Sequence, residues 1–408
     1  MYDLGIYLLS FILKVLAIFN TKIKLGVKGR RQTFDILRQK IKKEKRTFWF
    51  HCASLGEYEQ GLPVFEMLRQ TYPEHQIVLT FFSPSGYEIR KNTKVADVVV
   101  YLPLDTKTNA KQFLELVQPE LTLFVKYDIW PNILLELKHQ NRRAILISAL
   151  FRKQQSYFKF YGGKRKQALF AFEHIFVQNE SSKILLSSID YNHSTIAGDT
   201  RFDRVSNQLT QNNNLDFISE FKQQSTCIVI GSSWPEDEDI LIPYINKHAS
   251  ERLKFVIAPH EIKANHIKNI LSKLEIEAVL FSEKDVKTIT DYHVFIIDTI
   301  GLLTKIYSYA DIAYVGGAMG STGLHNILEP AVFGVPIVIG KNYEKFPEAS
   351  VMIEKAGVIS VKNESDSKTV FESLTSSQSL RESFGSKNAN FIKENKGAVV
   401  QIMDYLRI

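Results

Sequence analysis

Cysteine is nearly absent from this 408-residue chain, in which only Cys52 and Cys227 occur. That excludes a disulfide framework and a cysteine-based zinc site, and it points to a reducing compartment. No His/Cys/Asp/Glu cluster at metal-ligand spacing is visible, and there are no internal repeats or low-complexity tracts of note. The glycine-rich segments contain neither G-x-G-x-x-G nor a loop ending in G-K-[ST], so neither a dinucleotide fingerprint nor an ATPase is supported. The start is not basic and no small-residue cleavage site follows it, which argues against a cleavable signal peptide.

What is present is apolar and mildly basic. Apolar residues make up 45% and charged residues 23%, with a net charge of +7. The length suits two globular domains, because single cores rarely grow past about 250–300 residues. The positive charge suggests an anionic partner and leaves nucleic acid, anionic lipid and a phosphorylated substrate open. Its distribution is uneven. Residues 1–20, "MYDLGIYLLSFILKVLAIFN", are strongly apolar, and residues 21–46 then carry eleven Lys or Arg against two acids. A span needs roughly 20 apolar residues. The segment therefore reads as a marginal span or an interfacial helix with a basic collar on the cytoplasmic side, with a helix packed on the domain as the alternative.

From residue 46, short and nearly continuous apolar runs alternate with helical patterns, the signature of parallel sheets covered on both faces. Strands are predicted at 47–54, 76–83, 97–104, 121–128, 144–150, 174–179 and 194–198. A polar segment at 206–225 reads as a linker. A second set follows at 227–233, 254–260, 294–299, 311–317, 336–340 and 358–361. The expected organisation is an anchor helix at 1–20, a Rossmann-like domain at 21–205, a second at 226–380 and a helical end at 381–408, which has the option of crossing back to the first domain. Two such doubly wound α/β domains would face each other across a cleft, with ligands outside the strand C-terminal ends.

Candidate residues collect at those ends. In "HCASLGE", Ser54 and Glu57 have capping-box spacing, which explains both; Glu57 would also stand where a general base could meet a hydroxyl. In "FVKYDIWPN", Lys126 and Asp128 end a strand before a helix opened by Trp130-Pro131. In "GSSWPEDE", Ser232 and Ser233 lie at a strand-to-helix turn, with Glu236 again at capping-box spacing and with backbone amides that suit an anion. His260 follows the next strand, and a lone histidine there is more often structural. The richest stretch is "GGAMGSTGLHNILEPAVFGVPIVIG". Its glycines, Gly316, Gly317, Gly320 and Gly323, open a helix, an arrangement that suits phosphate. Glu329 is at the range where a carboxylate accepts ribose hydroxyls. Plain packing is the other reading, with Pro330 in a first helical turn and Gly334 as the stop.

Taken in order along nearly the whole chain, the apolar start, "HCASLGE", "DIWPN", "GDTRFDRV", "GSSWPEDE", "APHE" and the glycine-rich block resemble the 3-deoxy-D-manno-octulosonic acid (Kdo) transferases. The resemblance implies two Rossmann-like domains (the GT-B fold), a membrane-associated N-terminal helix, and an inverting glycosyltransferase of lipopolysaccharide core biosynthesis. The implied donor is CMP-Kdo and the acceptor the tetraacyl disaccharide bisphosphate precursor of lipid A. The implied place is the cytoplasmic face of the inner membrane, with anionic lipids as partners, no nucleic acid, and neither metal nor cofactor. Glu57 matches the family's proposed base. Ser232, Ser233, His260, Gly316, Gly317, Gly320, His325, Asn326 and Glu329 match or adjoin its donor-binding motifs. The chain departs from the family where two glutamates usually precede the "IWPN" step, having Lys126 and Asp128 instead. Lys126 reverses a charge; Asp128 can keep the second carboxylate's role. Arg152, in the altered "ISALFRK", is assigned an anion-binding role on the acceptor side. Another enzyme on the same scaffold, a nucleotide-sugar epimerase or a different sugar transferase, is the runner-up.

Overall fold

A computed structural model describes residues 2–407 of the chain. It divides into two compact units, one running to Arg204 and resuming at Lys396, the other comprising Val205–Asn395. Each is built on one parallel seven-stranded sheet.

The first unit contains β1 (Thr47–Cys52), β2 (Gln76–Phe81), β3 (Val98–Tyr101), β4 (Leu121–Val125), β5 (Arg143–Ala149), β6 (His174–Val177) and β7 (Ser194–Ile196), in the order β3-β2-β1-β4-β5-β6-β7. Strand order reverses between β1 and β4, which makes their C-terminal ends the expected ligand position. All six residues of β1 are buried, and alternate side chains serve opposite faces. Phe48, Phe50 and Cys52 join one core layer, whereas Trp49 joins the other. Helix α1 (Tyr2–Phe19) and helix α2 (Thr21–Lys40) precede β1, and helix α3 (Leu55–Thr71) follows it. Phe65 of α3 stacks on Phe50, ring centroids 4.2 Å apart. Gly61 allows the close approach, since a Cβ there would come 2.4 Å from the Phe65 ring and 2.9 Å from Val125.

The second unit contains β8 (Thr226–Ser233), β9 (Leu253–Pro259), β10 (Ala278–Leu280), β11 (Val294–Ile296), β12 (Ile312–Val315), β13 (Ile337–Ile339) and β14 (Val358–Ser360), ordered β10-β11-β9-β8-β12-β13-β14. Its switch point lies between β8 and β12.

Four sequence expectations are corrected. The segment 206–225 is not a plain linker. It holds a helix, Asp216–Lys222, whose Ile218 and Phe221 are buried and whose Lys222 pairs with Asp311 at 2.8 Å. The helical end is two helices, Gln378–Asn395 and Ala398–Tyr405, broken at Gly397 with φ +115°. Asn388 of the former bonds the backbone of Val335 and Gly357 in the second unit. The latter buries Ala398, Val399 and Ile402 in the first unit's core, where Asp203 caps it through the Gly397 and Ala398 amides. Strand β10, three residues long at the sheet edge, was not anticipated. Finally, α2 is more than a basic collar. Leu37 is fully buried, Thr33 donates to the Tyr101 carbonyl, and Arg30 donates to the Leu102 carbonyl.

Candidate active site

The chain leaves β1 at Cys52 and enters α3 through Ser54, the helix N-cap. The capping box expected from the spacing does not form. The Ser54 side chain caps no backbone N–H; its hydroxyl donates to the Glu57 carboxylate instead. Glu57 is buried, only 9% exposed, at the C-terminal end of the central strand. Its carboxylate is therefore not used up in holding the helix start. Burial, followed by the charges of Glu57 and Asp128, pushes the Cys52 thiol up, so both carboxylates act on the end of β1.

Asp128 is held by a chain of donors that sequence reasoning missed. Trp49 Nε1 donates to Thr80 Oγ1 at 2.8 Å, and Thr80 Oγ1 lies 2.8 Å from His51 Nδ1. His51 Nε2 is bonded to Asp128 Oδ2, which Trp130 Nε1 also meets at 2.9 Å. An indole nitrogen only donates, so Thr80 Oγ1 accepts from Trp49, and the His51 ring bridges that hydroxyl to Asp128, with the Trp130 indole 3.1 Å from His51 Nε2 as well. The relay fixes the Asp128 side chain, which remains 18% exposed. The only advance signal was a histidine inside an otherwise apolar strand.

Lys126 follows β4 in the left-handed region, φ +70°, with its Nζ 5.2 Å from the Tyr127 ring centroid. A non-glycine residue held there costs of order 1 kcal/mol. Arg152 stands exposed beyond β5; no hydrogen bond or ion pair joins its side chain to Glu57, Lys126 or Asp128 among the described residues. The "GDTRFDRV" motif is structural. Asp199 accepts from Gln60 of α3 at 2.8 Å and from Arg201 at 2.9 Å, while Asp203 caps the last helix.

In the second unit, the turn after β8 also rejects the expected cap. The N-cap is Trp234, one residue on, and Asp237 accepts from its amide at 2.9 Å. Ser233, fully buried, donates to Glu238 at 2.8 Å, and His266 meets the same carboxylate at 2.9 Å. Ser232 has φ +54°. Asp237 ties this turn to the glycine loop, accepting from the Gly317 amide and the Tyr314 hydroxyl at 2.8 Å each. Burial pushes its carboxyl up.

Gly316 and Gly317 are thus packing glycines, contrary to the expectation of open backbone. A Cβ on Gly316 would lie 2.4 Å from the Ser232 carbonyl oxygen, and one on Gly317, φ +95°, 2.1 Å from that of Gly323. Their amides are already given to Gly231 and Asp237. Gly320 lies against Glu236, whose carboxyl carbon would be 2.8 Å from a Cβ. The helix expected after the loop is one turn, Leu328–Ala331, too short for an appreciable macrodipole. Gly334, φ +71°, ends it.

The remaining donor-side residues do come together. Trp234 Nε1 donates to His325 Nε2 at 3.1 Å, His260 stacks on Trp234 at 4.6 Å, and the two imidazoles are 4.4 Å apart. Burial, then the neighbouring His260, pulls His325 down to about 4. Glu329 receives Asn326 Nδ2 on one oxygen and Thr304 Oγ1 on the other, each at 3.1 Å, while Asn326 Oδ1 accepts from the Leu328 amide at 3.2 Å. Asn326 therefore both caps the turn and braces the carboxylate.

Residues 28–204 match the family model described as 3-deoxy-D-manno-octulosonic-acid transferase (kdotransferase). Among curated relatives, the 3-deoxy-D-manno-octulosonic acid transferase of Haemophilus influenzae is 27% identical over 373 residues, covering 88% of this chain and 86% of its own. That of Aquifex aeolicus is 27% identical over 364 residues, covering 84% and 91%. Among solved structures, the UDP-GlcNAc 2-epimerase of Neisseria meningitidis superposes with a TM-score of 0.62 over 89% of this chain and 99% of its own, at 16% identity. That last likeness is one of fold, and it supports the two-Rossmann (GT-B) class over both units.

Proposed function

We propose, for a chain that belongs to the Kdo transferase family of glycosyltransferases, that its reaction moves Kdo from CMP-Kdo to the tetraacyl disaccharide bisphosphate precursor of lipid A. In this reading Glu57 is the general base. It takes the proton of an acceptor hydroxyl, the oxygen attacks the Kdo anomeric carbon with inversion, and CMP leaves with the bond electrons. The observation that carries the assignment is the Ser54–Glu57 contact. It leaves a buried carboxylate with one hydroxyl donor at the end of the central strand, where a helix cap would have consumed it.

The second unit is the donor side of the reading. Asn326 and Thr304 hold both Glu329 oxygens, which orients that carboxylate for ribose hydroxyls. A neutral His325 has its Nε2 occupied by Trp234 and so keeps Nδ1–H as a donor for the phosphate or the Kdo carboxylate. The leaving group carries a single phosphate, which side-chain and backbone donors can stabilise without a metal. Asp128, fixed by His51 and Trp130, is assigned to the acceptor side, with Lys126 and Arg152 as cations for its phosphates.

Mass spectrometry of the lipid A precursor after incubation with CMP-Kdo and the purified chain tests the reading. It requires a Kdo-bearing product. An unmodified acceptor alongside hydrolysed or intact CMP-Kdo contradicts it.

A further inference from the structure

Helix α1 is long and apolar enough to cross a membrane by length and composition. Eighteen residues at 1.5 Å each give about 27 Å, close to a hydrocarbon core. Its two ends, however, are held by the same folded unit. At the N-terminal end, the Tyr2 hydroxyl donates to Asp105 at 2.7 Å. Asp3 accepts from Asn132 Nδ2 at 2.8 Å and pairs with Lys164 at 3.1 Å. Asp105 is buried and also accepts from the Asn132 and Ile133 amides at 2.9 Å, so this anchor is the start of the helix Pro131–His139. At the C-terminal end, Asn20 caps α2 through the Ile23 amide at 3.1 Å, and α2 is packed on β3 by Leu37 and Thr33. A spanning α1 would put one of these ends on the far side of a bilayer from the domain that holds it.

We infer that α1 lies in the plane of one leaflet and does not cross it. The face turned from the protein carries Leu4, Leu8, Phe11, Val15 and Ile18, all exposed, at the spacing of one helical stripe. Only Ile6 is buried. Beside it, α2 exposes Lys24, Lys28 and Arg31 at i, i+4 and i+7. Those charges select the occupant: an anionic bilayer surface, with the apolar stripe below the headgroups and the cations at their level. The anchor at Asn132 lies four residues after Asp128 in sequence, so the bilayer-facing helix is bonded to the strand-to-helix turn that carries the proposed acceptor residue.

The inference is independent of which sugar is moved, and its test reads depth. Full-length Leu4→Cys, Phe11→Cys and Ile18→Cys are labelled with an environment-sensitive fluorophore, the native cysteines being buried. They are bound to phosphatidylcholine vesicles containing phosphatidylglycerol, and quenched by lipids carrying spin labels at different depths. Three equal, shallow depths are expected, with binding several-fold weaker on phosphatidylcholine alone. A Phe11 label at the bilayer centre flanked by shallower labels on opposite sides overturns the inference, and so does binding that ignores lipid charge or does not occur.

Discussion

The Ser54 hydroxyl donates to the Glu57 carboxylate and leaves the first turn of α3 without a side-chain cap. Two residues at capping-box spacing thus serve each other. An N-cap serine replaced by alanine ordinarily costs about 1 kcal/mol. Ser54→Ala should cost less in thermal denaturation, because no backbone bond is lost, yet it should slow Kdo transfer by removing the group that orients Glu57. A drop in stability with unchanged turnover would assign Ser54 to the helix instead.

The Trp49–Thr80–His51–Asp128 chain predicts a stability cost out of proportion to the atoms removed. Thr80→Val deletes one buried hydroxyl but leaves Trp49 Nε1 and His51 Nδ1 without partners. Each unsatisfied group costs about 1–3 kcal/mol. Chemical denaturation should show a loss of about 2–6 kcal/mol, well above that of an exposed Thr→Val.

His325 makes the second unit acid-sensitive in one direction. Its pKa in the folded protein, about 4, lies below the ordinary imidazole value. The unfolded chain therefore binds the extra proton first, so this contribution to stability is complete above about pH 6.5 and is lost as pH falls toward 4. His325→Gln keeps an acceptor for Trp234 but cannot titrate. Between pH 7.5 and 4.5, the parent should lose more denaturant stability than the variant; equal losses would remove His325 as the cause.

Gly317→Ala places a methyl 2.1 Å from the Gly323 carbonyl oxygen, at a backbone φ of +95°. Relief requires moving the loop that Asp237 holds. A cost of about 1–3 kcal/mol is expected, together with weaker CMP binding by calorimetry. Unchanged CMP affinity would put the nucleotide elsewhere.

Removing residues 2–20 takes away one buried apolar side chain, Ile6, the Tyr2 and Asp3 contacts and the Asn20 cap of α2. The truncated chain should fold with its sheets intact by circular dichroism and lose sedimentation with anionic vesicles. Failure to fold would mean that α1 is part of the core.

Much of the architecture was legible because buried parallel strands are written as unbroken apolar runs, and thirteen of the fourteen could be placed this way. Strand β10 escaped because Ala278–Leu280 is an edge of three residues. The helix Asp216–Lys222 escaped because its two buried residues stand in a polar run. Both capping boxes were misread for one reason: a Ser-x-x-Glu spacing cannot show which partner wins. Ser54 chose the side chain of Glu57, whereas after β8 Asp237 took the Trp234 amide. His51 stood out in an apolar strand, but its role could not be read, since its partners lie 29 and 77 residues away along the chain. Glycine spacing likewise could not reveal that Asp237 already holds the Gly317 amide.

The central claim is that Glu57 abstracts the acceptor proton, and the most direct measurement is the single-turnover rate of Kdo transfer by Glu57→Gln. The amide keeps the size of the side chain and an oxygen for the Ser54 hydroxyl, so the fold and CMP-Kdo binding should persist. Loss of a general base predicts transfer slower by about 10²–10⁴. Transfer by Glu57→Gln at the parent rate would contradict the account.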